Sequence, residues 1–138
     1  MTPLFKKLNF KQQNEIFILN HPSEFEAEMN AMQDYTTIRT NINDSQEIEF
    51  VITFVKTKAD IEIITPDIHK KLKGDGIVWF AYPKGTSKKY KAEINRDNGW
   101  DLLGKSGLVV VSAVAIDDDW TALRFRRIEF IKTMTRKK

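Results

Sequence analysis

The chain has 138 residues, 41% hydrophobic and 30% charged, with 22 Lys and Arg against 19 Asp and Glu and a net charge of +3. That length suffices for one domain, residues 1–138, with a real core, since chains of about 150 residues bury roughly 70% of their unfolded surface. The absence of cysteine excludes disulfides, thiolate catalysis and zinc sites of the Cys type.

No run approaches the roughly 18 apolar residues of a membrane span, and the opening MTPLFKKLNFKQQ lacks an apolar signal-peptide core, so a cytoplasmic protein with no membrane partner is expected. The surface charge is mixed, and part of the basic excess falls in a tail at 133–138. Specific nucleic-acid recognition is therefore not indicated.

In chain order, Thr2-Pro3 with Leu4, Phe5 and Leu8 predicts a short helical turn packed as a lid on the first strand. The run EIFILN at 15–20 reads as a central strand ended by Pro22. Ser23 then serves as N-cap of a helix to about Gln33, with Phe25, Met29 and Met32 on its buried face. YTTIRTNI at 35–42 reads as an edge strand, followed by the turn Asn43-Asp44-Ser45. The connection at 41–46 is short for a parallel crossover, so this strand lies antiparallel or pairs only briefly.

IEFVITFV at 48–55 is the next interior strand. Thr57 caps a helix carrying Ile61, Ile64, Ile68 and Leu72, in which Pro66 predicts either a kink or a second helix starting from Thr65, with Gly74 as the closing glycine. Gly74-Asp75-Gly76 turns into the buried strand at 77–82, which stops at Pro83 and opens into a loop of glycine, hydroxyls and lysines. A short helix at 95–104 turns Trp100 and Leu103 inward. LVVVSAVAI at 108–116 reads as a buried strand, Asp117 to Asp119 as a turn, and 120–131 as a last strand whose parity change calls for a bulge near Arg126-Arg127. This order predicts a single-domain, three-layer α/β/α fold: a mostly parallel, Rossmann-like sheet with a C-terminal antiparallel hairpin strand.

The order is similar to the core of the S-adenosylmethionine-dependent methyltransferases, and Leu72-Lys73-Gly74-Asp75-Gly76 looks like their Leu-Lys-Pro-Gly-Gly turn. The phrases TPLFKKL, ILNHPSEF, WFAYPK and DDDWTALRF also resemble a small bacterial family of unknown function built on a reduced version of that core. The resemblance implies a glycine-rich loop after the first strand and a carboxylate ending the second, for the cofactor's ribose. Here those positions hold Asn20-His21-Pro22-Ser23 and Thr40-Asn41, so the resemblance supports the fold rather than the activity, and no cofactor is assigned.

Loops at the carboxyl ends of parallel strands are where such folds bind ligands. The candidate binding residues are accordingly Asn20 and His21 after the first strand and Tyr82, Lys84, Thr86 and Ser87 at and after the strand ending in Pro83. His21 stands where a general base works, but without an assignable carboxylate partner it reads as a turn residue, and no catalytic residue is assigned. Asp117 to Asp119 read as a turn rather than a metal site, and no metal is assigned. Lys84, Lys88, Lys89 and Lys91 form a potential anion grip. Arg124, Arg126 and Arg127 read as protection of an edge strand, and the three tryptophans as core. The expected function is a noncatalytic methyltransferase-like domain binding a small anionic ligand or a protein. The alternatives are a divergent methyltransferase and a weak, nonspecific nucleic-acid binder.

Overall fold

In the computed structural model, which describes residues 1–131, the apolar runs form six strands of one sheet. The predicted basic tail at 133–138 lies outside the described residues. The strands are β1 (Glu15–Leu19), β2 (Thr37–Arg39), β3 (Ile48–Phe54), β4 (Leu72–Pro83), β5 (Leu108–Ala115) and β6 (Trp120–Arg127), in the order β2-β1-β3-β4-β6-β5. β2, β1, β3 and β4 run parallel, while β6 is antiparallel to β4 and β5 antiparallel to β6. This is the mostly parallel α/β sheet with a C-terminal antiparallel pair that the element order implies.

Period-two alternation assigns the side chains to two dry layers. Ile16 and Ile18 of β1, with Ile52, Trp79 and Ala81, pack under α1 (Pro3–Lys7) and α2 (Glu26–Met32) through Phe5, Met29 and Met32. Phe17, Leu19, Val51, Val78 and Phe80 face the other way, against Ile61, Ile64 and Ile68 of α3 (Lys58–Lys71) and Leu103 of α4 (Asp101–Lys105). The Trp79 indole donates to the Leu8 carbonyl at 2.9 Å, fixing the α1 segment across the sheet.

Several local expectations are corrected. Ser23 is not an N-cap: it opens a 3-10 turn, Ser23–Phe25, that leads into α2 and has no side-chain cap. The edge strand is only Thr37–Arg39, parallel to β1, which leaves 40–47 to cross to β3. That crossover holds a 3-10 turn, Ile42–Asp44, and the Lys71 ammonium donates to the carbonyls of Ile42 and Ser45 at 2.7 and 3.0 Å. The predicted helix at 95–104 starts only at Asp101.

Thr57 caps α3 as expected, in a capping box that Asp60 completes, but the helix is a single element with Pro66 inside it. Thr65 does not start a second helix; its hydroxyl donates back to the Ile61 carbonyl at 2.6 Å. Gly74 does not close the helix either, because β4 begins at Leu72 and the Gly74-Asp75-Gly76 segment is a bulge inside it, where the pairing with β3 shifts register. Gly74 has φ +52°, the left-handed region that favours glycine.

The largest corrections concern the last two strands. β5, expected to be buried, is the exposed edge: Leu108 is buried, but residues 110–113 are exposed. β6 is interior, so its arginines do not protect an edge. Arg126 grips Asp75 bidentately at 2.6 to 3.1 Å, and Arg127 donates to the carbonyls of Gly74 and His69. Both hold the β4 bulge in place. The irregularity expected near Arg126-Arg127 is instead a bulge at Val111 of β5, and β6 simply ends at Arg127 in a 3-10 turn.

Pro66 is exposed, so replacing it removes no core packing and adds a helix N–H. Pro66→Ala is expected to raise unfolding free energy by about 1 to 3 kcal/mol in a denaturant titration. A loss of stability would show that the proline relieves some other constraint on α3.

Candidate functional site

The parallel strands aim β1, β3 and β4 at one edge of the sheet, and the antiparallel β6 starts there, since Pro83 pairs with Trp120. Pro83 ends β4, and the chain then folds back over this edge as a strap, residues 84–93. The strap is fastened at several points. The Lys84 N–H donates to the Asp119 carbonyl at 2.8 Å, and the Ser87 hydroxyl donates to the Asp119 carboxylate at 2.8 Å. At its far end the Glu93 N–H donates to the Lys56 carbonyl at 2.9 Å, while the Glu93 carboxylate accepts from the Lys58 N–H at 3.1 Å.

The remaining fastening is Glu24, in the turn after β1. Its carboxylate accepts the Tyr90 hydroxyl at 2.7 and 2.9 Å, the Trp120 indole N–H at 3.3 Å and the Lys89 ammonium at 3.4 Å. The Tyr90 ring lies 5.0 Å from that of Trp120, with the Lys56 ammonium 4.9 Å from its centroid. Burial pushes the Glu24 carboxyl up, but the hydrogen bonds from Tyr90, its own backbone, Trp120 and Lys89 together outweigh it and leave the group below its ordinary value. The same contact raises Tyr90, whose hydroxyl stays protonated as the donor.

The structure distributes the six candidate residues unequally. Lys84 and Ser87 line one cavity of about 440 Å³ on the strap, together with Tyr90, Lys91 and Glu93. Thr86 is at the exposed tip of the strap. Tyr82 is 6% exposed and faces the α3 layer, its ring 5.6 Å from that of Trp100, and burial raises its hydroxyl pKa. Asn20 turns the chain out of β1 with φ +58°, a conformation asparagine tolerates, and His21 meets Glu26 at 3.4 Å, a carboxylate no sequence spacing pointed to. Neither Asn20 nor His21 lines the cavity beside Lys84, because β3 separates β1 from β4 by two strand spacings, roughly 10 Å. The residues that sequence reasoning passed over are Glu24 and Tyr90. Their only signal was an acid in a helix's first turn and an aromatic ending a lysine run.

No protein-family profile matches the chain, and no curated protein matches it. Solved structures do. A SAM dependent methyltransferase from Aquifex aeolicus superposes with a TM-score of 0.59 at 8% identity, over 90% of this chain and 87% of that one. The N-methyltransferase NodS from Bradyrhizobium japonicum WM9 gives 0.57 at 12% identity, over 90% and 92%. The fibrillarin pre-rRNA processing protein of Methanococcus jannaschii gives 0.55 at 14% identity, over 85% and 67%. At these identities the likeness is one of fold, and the chain has a methyltransferase-like Rossmann fold.

The residues at the cofactor positions of that fold do not fit S-adenosylmethionine. After β1 stand Asn20, His21 and Pro22, so every residue carries a side chain and Pro22 has no N–H to offer a ligand. β2 ends in Arg39, followed by Thr40 and Asn41; Arg39 pairs with Glu15 at 3.4 Å and the Asn41 side chain accepts from the Asn43 N–H at 2.9 Å. No carboxylate stands there for a ribose.

The depressed Glu24 value carries a sign. The ionised, hydrogen-bonded form stabilises the strap above pH 4.5, the group's ordinary value, and this contribution is lost as pH falls through the lower folded value. Protection factors of the 84–93 amides, their exchange referred to the unstructured rate at the same pH, are expected to fall on acidification through that window. Tyr90→Phe should speed their exchange roughly 2- to 10-fold at one fixed neutral pH, as loss of one hydrogen bond of about 0.5 to 1.5 kcal/mol implies. Unchanged exchange in the variant would remove Tyr90 as an anchor.

Proposed function

We propose that this chain is a noncatalytic, methyltransferase-fold domain that binds a small anionic ligand at the carboxyl edge of its sheet. The observation that carries the proposal is the cavity of about 440 Å³ at the end of β4, lined by Lys84, Ser87, Tyr90 and Lys91. Its one acidic lining residue, Glu93, is already engaged by the Lys58 N–H. Two ammonium groups against one carboxylate leave the lining net positive, and an anion is the complementary charge. Lys84 is half-buried and follows Pro83 at the end of a fully ordered strand, so its backbone origin is fixed before any ligand arrives. The misfit of the cofactor positions supports the noncatalytic half of the proposal, and the divergent methyltransferase is the competing outcome.

The test pairs two ligands. Pyrophosphate, as a small anion, is expected to raise the melting temperature, and the effect should disappear in Lys84→Ala but persist in Lys11→Ala, a change at an exposed lysine outside the cavity. Lys84→Ala itself should leave stability within about 0.5 kcal/mol. S-adenosylmethionine should bind by calorimetry no tighter than about 100 µM, or roughly 5.5 kcal/mol. Tighter binding, with amide shifts at 20–23, would favour the divergent methyltransferase. Equal loss in both lysine variants would reduce the effect to general charge.

A further inference from the structure

We infer that the free edge of β5 is a self-association surface, on which a second copy of this chain adds its own β5 antiparallel to form one continuous sheet across a two-fold axis. The inference is independent of the anion cavity. The two sheet edges are built differently. β2 exposes only three residues and ends in a charge, Arg39. β5 is eight residues long, LVVVSAVA, with no charge and no proline, and being last in the sheet its outward N–H and C=O groups have no strand to pair with among the described residues. Monomeric proteins blunt such edges with lysine, proline or brevity; here only the bulge at Val111 interrupts it.

The side chains along this edge are apolar on the outside as well. Val110 is 52% exposed and Val111 39%, and beside them Ile128 is 52% and Phe130 37% exposed, with the Ile128 N–H bonded to the Gly107 carbonyl at the start of β5. A groove of about 340 Å³, lined by Arg96, Asp97, Val110, Val111, Ala113 and Leu123, runs along the same strand and offers room for a partner's side chains.

Charge names the occupant. The amino end of β5 is basic, with Lys105 before it and Arg127 opposite Leu108. Its carboxyl end is acidic, with Asp117 and Asp118 exposed. Lys105 and these two aspartates make no ion pair among the described residues. A two-fold axis through two adjacent edges makes the strands antiparallel, and with Val111 on the axis Leu108 faces Val114 and Val109 faces Ala113. The basic end of each copy then meets the acidic end of the other, the strand residues between them carry no charge, and the bulged residues share the axis. An unrelated extended peptide has no reason to match that pattern.

Sedimentation equilibrium of the full chain over roughly 1 to 200 µM decides it. The wild type is expected to fit a monomer–dimer equilibrium. Val110→Lys, which places a charge on the uncharged strand itself, should weaken it at least tenfold while leaving the monomer's melting temperature in place. Lys105→Glu should weaken it by a similar factor, and Lys105→Glu combined with Asp118→Lys should recover it; Asp118 is chosen because Asp117 caps its own turn. A wild type that stays monomeric throughout, a Val110→Lys protein that dimerises as well as the wild type, or a charge exchange without recovery would each overturn the inference. Open-ended aggregation in place of a closed dimer would do the same.

Discussion

The molecule depends on β4 being dry on both faces. Val78, Trp79, Phe80 and Ala81 are fully buried, between β3 on one side and β6 on the other and beneath both helical layers. A strand in that position cannot meet water along its length, so it can do so only where its regular pairing fails. It fails twice. At the amino end the glycine bulge lifts Asp75 out to Arg126 of β6. At the carboxyl end Pro83 stops the ladder and releases the strap that covers the carboxyl edge of the sheet.

That edge differs from a nucleotide-binding one in the kind of group that organises it. Glycine loops work because backbone N–H groups approach a ligand unhindered. Here side chains converge on each other instead: Tyr90, Trp120 and Lys89 all reach one carboxylate, Glu24, in the 3-10 turn after β1. The contact ties that turn to the loop after β4. A cavity lies to one side, along the strap, with Lys84 and Lys91 in its lining.

The strand order produces a second asymmetry. Both helical layers are centred on β1, β3 and β4, because the crossovers that create parallel pairing must lie over the strands they connect. The hairpin of β5 and β6 needs no crossover and brings no helix of its own beyond the short α4. Its inner strand is covered by its neighbours, whereas its outer strand is not, and the valines of β5 reach solvent on that account.

The sequence by itself determined most of the elements and the fold class. Apolar runs of strand length, the Thr57-Asp60 cap and the Pro83 stop are local facts, and local physics reads them. It also placed Lys84 at the mouth of a strand. It did not determine which apolar run lies outermost, because LVVVSAVA has the composition of a buried strand and only strand order decides how many neighbours it has. The candidate site was half legible for the same reason. Lys84 and Ser87 are neighbours in the chain and share a cavity, but the separation of Asn20 and His21 from them follows from β3 lying between β1 and β4. The pairing of Glu24 with Tyr90 joins residues far apart in the chain, and no periodicity records such a contact. Short-range propensity is written residue by residue, whereas the identity of a neighbour across the sheet exists only once the whole sheet has closed around β4.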